Sequence, residues 1–509
     1  MERYECIEPL GLLFLLILGV IILSMSLNCN KPSQETIVPL VRTIELNVAE
    51  SEEVELCDGT KRSVKLIALD EIRDKVRNAV RKAIVTIEID GQLAELTSAT
   101  YCLPKTVANT QIDCPITKGY LSNNNRDAWG LKKDVRLRLW PAGSPLMIPG
   151  SFGYPLKQKW FASSTQMANE PTYVDGGEDL SRRRIYYHWG LDFGGAEGMV
   201  DVISATDGTV ISAGDSVLPG YSNTPVSPRY DVVYILDNRG WYYRYSHLQS
   251  IDKSIHPGLR VNLGHPVGIL GKEGGSGGWS HLHFDITCKQ PSGKWGCHEA
   301  YALVWEAYQQ QYKPDLVAVA RPHQLLQVGE KIILDASRSW SRHNKITHYN
   351  WTFTDGASAE GEKVERSYSV PGTYSEILEI IDEAGRKDYD FCIVNVLDPD
   401  KPKQLPPTIH VVYAPTFGIQ AGDLVTFKVR TFRTTDGAET IDFGDGSPQI
   451  TVHSDGNVDM HAVDGYAVTN HRFSQPGHYI VRTERSNNLG LKATGHVHVS
   501  VGEAVKSGN

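Results

Sequence analysis

The chain opens on an uncharged apolar run from Leu10 to Leu27 (LGLLFLLILGVIILSMSL). Such a run reads as a signal-peptide core or a short membrane span. Glu2, Arg3, Glu5 and Glu8 precede it, an acidic start unlike a usual signal. Ser26 and Asn28 ahead of Cys29 resemble a lipoprotein box only weakly. An uncleaved anchor, a cleaved signal and lipidation are the three readings of residues 1–30, and each delivers the remaining chain outside the cytoplasm. Residues 31–40 (KPSQETIVPL) have the composition of a linker.

Period-two alternation then dominates. VRTIELNVAE and RSVKLIAL predict strands, AIVTIEIDGQ predicts a strand closed by an Asp-Gly turn, and DVRLRLWPAGSP alternates before breaking at Pro and Gly. Between them, Ile72, Val76, Val80 and Ala83 stand at helical spacing, which predicts a helix over Asp70 to Ala83. Residues 41–147 are thus expected to form a small β-rich domain with one helix, and nothing in them names a function. An inhibitory role is one expectation for a domain placed directly ahead of the next.

Over 148–312 glycine rises and short strands alternate with turns, among them VVYILDN, WYYRYSHL and HLHFDITC. AYALVWEAYQQQY (300–312) predicts a closing amphipathic helix stopped at Lys313-Pro314. The remainder repeats itself. VGEKIIL (328–334) matches AGDLVTF (421–427), NWTFTDG (350–356) matches TIDFGDG (440–446), and YSVPGTY (368–374) matches FSQPGHY (473–479). Two tandem immunoglobulin-sized β-sandwiches, 314–398 and 407–502, fit this repeat, with the proline-stiffened DPDKPKQLPP between them. The expected class is mainly β and multidomain.

A length of 509 residues with 41% hydrophobic and 22% charged positions excludes wholesale disorder and leaves room for several cores. A net charge of −9 argues against a protein that holds nucleic acid by neutralising phosphates. Eight cysteines are too few for a disulfide scaffold but suffice for a few staples after export. Cys288 and Cys297, flanking QPSGKWG, are expected to form one, and Cys102 with Cys114 a second. Cys57 and Cys392 have no evident partner.

Candidate chemistry falls between residues 188 and 285. His188-Trp189-Gly190-Leu191-Asp192 comes first, then Tyr245-Ser246-His247-Leu248. A glycine-rich run, Gly271 to Gly278, leads directly to His281-Leu282-His283-Phe284-Asp285. On a strand, His281 and His283 point to one face while Leu282 points into a core. The glycines after His188 favour a loop entering a strand over a helix. Two imidazoles with one carboxylate suit zinc, and three protein ligands leave a fourth position open, as in catalytic sites. The glycine run lets backbone pass close to an extended bound chain. A lone His-x-His is weak evidence. His496-Val497-His498, in the last strand of the second repeat, has no matching partners and is read as structural.

Taken together, SFGYP, HWGLDFGG, VISATDGTVISAG, YRYSHL, GLRVNLGHPVGILGKEGGSGG and HLHFD resemble the LytM/lysostaphin-type zinc metallopeptidases of family M23, in the expected order across 150–287. The resemblance implies a compact antiparallel β domain over 148–312 with one zinc ion held by His188, Asp192 and His283. It makes His247 and His281 the further catalytic histidines. It also implies an endopeptidase acting on cross-bridges of bacterial peptidoglycan. No HExxH occurs in the sequence, so His281 or His247 must take the water proton or stabilise the oxyanion. Tyr245 is read as packing. Two long segments, 158–187 and 218–231, are expected to border the groove.

The C-terminal repeats resemble PKD modules through Trp351, Phe353, Asp355-Gly356 and Pro371-Gly372-Thr373-Tyr374, and through Phe443, Asp445-Gly446 and Pro476-Gly477-His478-Tyr479. This implies spacers, or contacts with glycan or protein. Two rival functions stand beside the leading one. One is a catalytically silent binding or regulatory protein; the other is a zinc endopeptidase attacking Gly-rich extracellular proteins.

Overall fold

The computed structural model describes residues 36–98, 101–122, 124, 127–165, 171–172, 185–343, 345–455 and 465–503. The Leu10 to Leu27 run lies outside these residues. Among those described, no helix is long and apolar enough to cross a membrane.

The first part of the chain is two four-stranded antiparallel sheets. One orders Arg42–Leu46, Val135–Pro141, Thr110–Thr117 and Lys105–Val107; the other orders Ser51–Glu55, Lys61–Arg73, Val80–Ile89 and Gln92–Ser98. Ile44, Ile112 and Leu137 from the first sheet share one core with Val64, Leu66, Val85 and Ile87 from the second. The helix expected over Asp70 to Ala83 does not form. Those residues end one strand and begin the next, in antiparallel register from Val64↔Ile89 to Arg73↔Val80. The helical spacing has a local cause. Asn78 N–H donates to the Asp74 carbonyl, and Asn78 lies in the left-handed region at φ 56°. A single α-turn therefore sits at the strand connection, and ladder pairing on both sides overrides the periodicity.

The central region is built on an eight-stranded antiparallel sheet. Its main path runs Leu191–Gly194, His281–Lys289, Tyr242–Ser246, Val233–Leu236, Gly208–Ala213 and Ser216–Val217. Leu282, Phe284 and Ile286 are fully buried beneath it. Each such side chain stabilises by about 1.5–3 kcal/mol, so the strand carrying both histidines is rigidly seated. The predicted closing helix forms as Tyr301–Tyr312 and packs Trp305 and Tyr308 against Trp160. It stops at Lys313 in the left-handed region, directly before Pro314.

The two C-terminal repeats each enclose their own core, one around Trp351, Phe353 and Leu378, the other around Phe427, Phe443 and Val497. They are not separated beads. Gly372–Asp382 of the first meets Lys492–Val501 of the second in a parallel pairing at Thr373↔Ala493, so one sheet runs through both. Both also pack back onto the central region. From the first, Arg321 donates to the carbonyls of Thr165 and Ser163, and Asp388 bonds Lys159 at 3.1 Å; from the second, Thr416 Oγ1 accepts Lys159 N–H at 2.9 Å.

Neither expected disulfide forms: Cys114, the expected partner of Cys102, is a free thiol, and so are Cys288 and Cys297. The hairpin register explains the Cys288–Cys297 case. Cys288 sits opposite Gly296 and Cys297 opposite Thr287. The two sulfurs therefore leave opposite faces of the sheet and enter different cores.

Candidate active site

His188 ends the approach to the edge strand Leu191–Gly194, and that strand pairs with His281–Lys289 in a register that sets Asp192 opposite His283. Gly190 makes this entry possible. It adopts φ 92°, and a Cβ there would lie 2.6 Å from the Phe284 carbonyl oxygen. The approach is braced from behind by the N-terminal domain. Val80 N–H donates to the Tyr187 hydroxyl at 2.6 Å, and Tyr187 meets Tyr120 edge-on at 4.9 Å.

Three ligand atoms converge here. His188 Nε2 and His283 Nδ1 each lie 3.0 Å from Asp192 Oδ1, and 2.9 Å from one another. His283 donates its Nε2–H to Asp285 Oδ2 at 3.2 Å, so its Nδ1 presents a lone pair to a carboxylate and to a second imidazole. Asp192 Oδ1 and His283 Nδ1 are then both acceptors, satisfied by a shared cation or by a proton carried on His188 Nε2. Tetrahedral zinc with bonds of 2.0–2.1 Å holds its ligand atoms about 3.3 Å apart, close to this spacing, and the donor set is one zinc favours. The residues fit the metal. Asp285 is the carboxylate that orients a ligating histidine from behind, backed by Arg244 at 3.6 Å.

Electrostatics agree with that arrangement. Burial pushes the Asp192 carboxyl up, but His188 and His281 outweigh it and hold the group well below the usual range. Burial pushes His283 down, yet its bonds to Asp192 and Asp285 leave it raised. The other two histidines behave differently. Burial pushes His247 down to about 3 against the pull of Asp231, and burial also lowers His281. Both are neutral rings at physiological pH, and each is fixed in one tautomer. His247 Nδ1–H donates to the Glu273 carbonyl at 2.6 Å, and His281 Nδ1–H donates to the Trp279 carbonyl at 2.9 Å. Their Nε2 lone pairs stay available. His281 Nε2 lies 3.6 Å from Asp192 Oδ1, and the two rings are 4.7 Å apart. A metal triad, two oriented bases and a partly open carboxylate can activate water against a polar substrate.

All five histidine and aspartate positions expected from the sequence are brought together. Tyr245 is packing, fully buried with its hydroxyl accepting from Ala205 N–H. His496 and His498 are buried away from the cluster, His498 against Lys159 and Asp388. The segment 218–231 does border the site: Arg229 pairs with Asp231, which accepts His247 N–H at 2.9 Å. Of 158–187, residues 166–170 and 173–184 lie outside those described.

Sequence reasoning gave no role to Asp285, Asp231, or the carbonyls of Glu273 and Trp279. Asp285 was findable, since period two places it on the face of His281 and His283. The glycine run approaches protein more closely than expected: a Cβ at Gly274 would meet the Arg229 guanidinium, and one at Gly278 would lie 2.9 Å from Arg430 Nη1.

The fold and site define a β-sheet centre whose His188, Asp192 and His283 form a group that could hold a metal ion. Residues 186–293 match the model of Peptidase family M23, and residues 313–394 match that of the PKD domain. The chain therefore carries an M23 peptidase domain followed by a PKD domain. It is similar to the catalytic domain of the antimicrobial peptidase lysostaphin from Staphylococcus simulans, at 21% identity over 28% of this chain and 90% of that one, with a TM-score of 0.20. Whole lysostaphin is similar at 14% identity over 48% and 91%, TM-score 0.22. The PKD domain of an M14-like peptidase from a Thermoplasmatales archaeon is similar at 21% identity over 19% and 96%, TM-score 0.15.

Proposed function

We propose that this protein is an exported zinc-dependent metalloendopeptidase that hydrolyses peptide cross-bridges of bacterial peptidoglycan. The observation that carries the reading is the convergence of His188 Nε2, Asp192 Oδ1 and His283 Nδ1 within 4.8 Å of one another, beside two imidazoles with free Nε2 lone pairs. His188, Asp192 and His283 would hold the zinc. When bound, zinc polarises the scissile carbonyl and makes water acidic enough to attack near neutral pH.

The remaining work belongs to the chain. His281, whose Nε2 is 3.6 Å from Asp192 Oδ1, takes the water proton and passes it to the departing amine, so acid and amine form without external acid or base. His247, held by Glu273 and Asp231, presents a second fixed Nε2 to the substrate. The Leu10 to Leu27 run supports export and retention at a membrane. The test is release of new amino termini from purified peptidoglycan, measured before chelation, after it and after zinc is restored. Loss and recovery are expected. Release that persists through chelation would overturn the reading.

A further inference from the structure

The three residues ahead of His281 are each gripped by the second C-terminal sandwich. Arg430 Nη1 donates to the Gly278 carbonyl at 3.0 Å, the Trp279 ring stacks on Phe432 at 4.2 Å and 15°, and Ser280 N–H donates to the Tyr466 hydroxyl at 2.8 Å. Arg430, Phe432 and Tyr466 are buried, yet none belongs to the hydrophobic core of their own sandwich. All three reach the contact, while Arg430 also pairs with Asp455 at 3.0 Å and the Tyr466 hydroxyl also bonds His410 at 2.8 Å within their own sandwich. The Trp279 carbonyl is the acceptor that fixes the His281 tautomer.

We infer that the second sandwich is a working part of the catalytic groove rather than a spacer. Phe432, Arg430 and Tyr466 are positioning residues that clamp Gly278–Ser280, and through the Trp279 carbonyl they aim His281 Nε2 at the metal cluster. This rests on the peptidase reading above. The reasoning is geometric. Gly277 and Gly278 both adopt positive φ, so the turn has little stiffness of its own. A base displaced by about 1 Å loses on the order of 100-fold in rate. A clamp supplied from outside the peptidase domain removes that freedom.

The test uses the full chain with Phe432→Ala, Tyr466→Phe and the aromatic replacement Phe432→Tyr. Two readouts are taken: peptidoglycan hydrolysis, split into kcat and KM, and amide hydrogen exchange over residues 276–283. For Phe432→Ala, kcat falls about 10- to 100-fold with KM within about twofold, zinc content holds and exchange protection drops. Tyr466→Phe, which removes one hydroxyl, exposes the Ser280 amide and moves kcat in the same direction. Phe432→Tyr restores both readouts. Wild-type kcat and protection in both loss variants would overturn the inference. So would a rise in activity, which would mean that the sandwich obstructs the groove. A wild type that releases no peptide would sink the peptidase reading instead, and the exchange result would then decide the clamp alone.

Discussion

The docking of the C-terminal sandwiches has a pH dependence that can be worked from one residue, His410. Its ring is fully buried between Thr165 Oγ1 at 2.6 Å and the Tyr466 hydroxyl at 2.8 Å, with Trp279 at 5.1 Å and Ser163 Oγ at 3.4 Å. The groups bonded to it carry no charge. Burial, with a smaller push from His281, lowers its pKa from 6.5 to about 3. Because the folded pKa is depressed, the stability it contributes is fully present above 6.5. It is lost progressively as pH falls toward 3, since the unfolded chain takes up a proton that the folded one refuses. At pH 5 the loss is about one and a half pKa units, or roughly 2 kcal/mol. His410→Gln keeps an amide between the same partners but does not titrate. At pH 7.5 the variant is less stable by about 1 kcal/mol for its poorer hydrogen bonds. At pH 5 the gap closes or reverses. Urea unfolding of both proteins at the two pH values reads this directly. A wild-type advantage equal at both pH values, or larger at pH 5, would refute the reasoning.

Further outcomes follow from the site and its scaffold. Asp285→Asn removes the carboxylate behind His283 and weakens zinc binding about 10- to 100-fold, measured by chelator competition. Leu282→Ala empties a fully buried position between the two histidines and costs about 2–5 kcal/mol, read as a lowered Tm. Alkylation of the denatured, unreduced protein labels both Cys288 and Cys297; a mass showing them joined would contradict the register of their hairpin.

Legibility in the sequence followed the range of the interactions. The His-x-His strand was readable because period two fixes which side chains share a face, and His188 and Asp192 because the glycines there favour a loop entering a strand over a helix. The Asp70 to Ala83 helix was misread because one α-turn carries helical spacing, while the deciding pairings, from Val64↔Ile89 to Arg73↔Val80, join residues that sequence windows do not compare. The Cys288–Cys297 staple failed on the parity of a hairpin register. The clamp on Gly278–Ser280 was invisible, since Phe432 and Tyr466 lie more than 150 positions away and look like ordinary strand and loop residues.

The central claim is that His188, Asp192 and His283 hold a catalytic zinc. Zinc content and peptide release from purified peptidoglycan, measured on the full-length wild type beside His283→Ala, test it most directly. The account predicts about one zinc per chain with release in the wild type, and both lost in the variant. Metal-free wild-type protein, or a variant that still cuts, would contradict it.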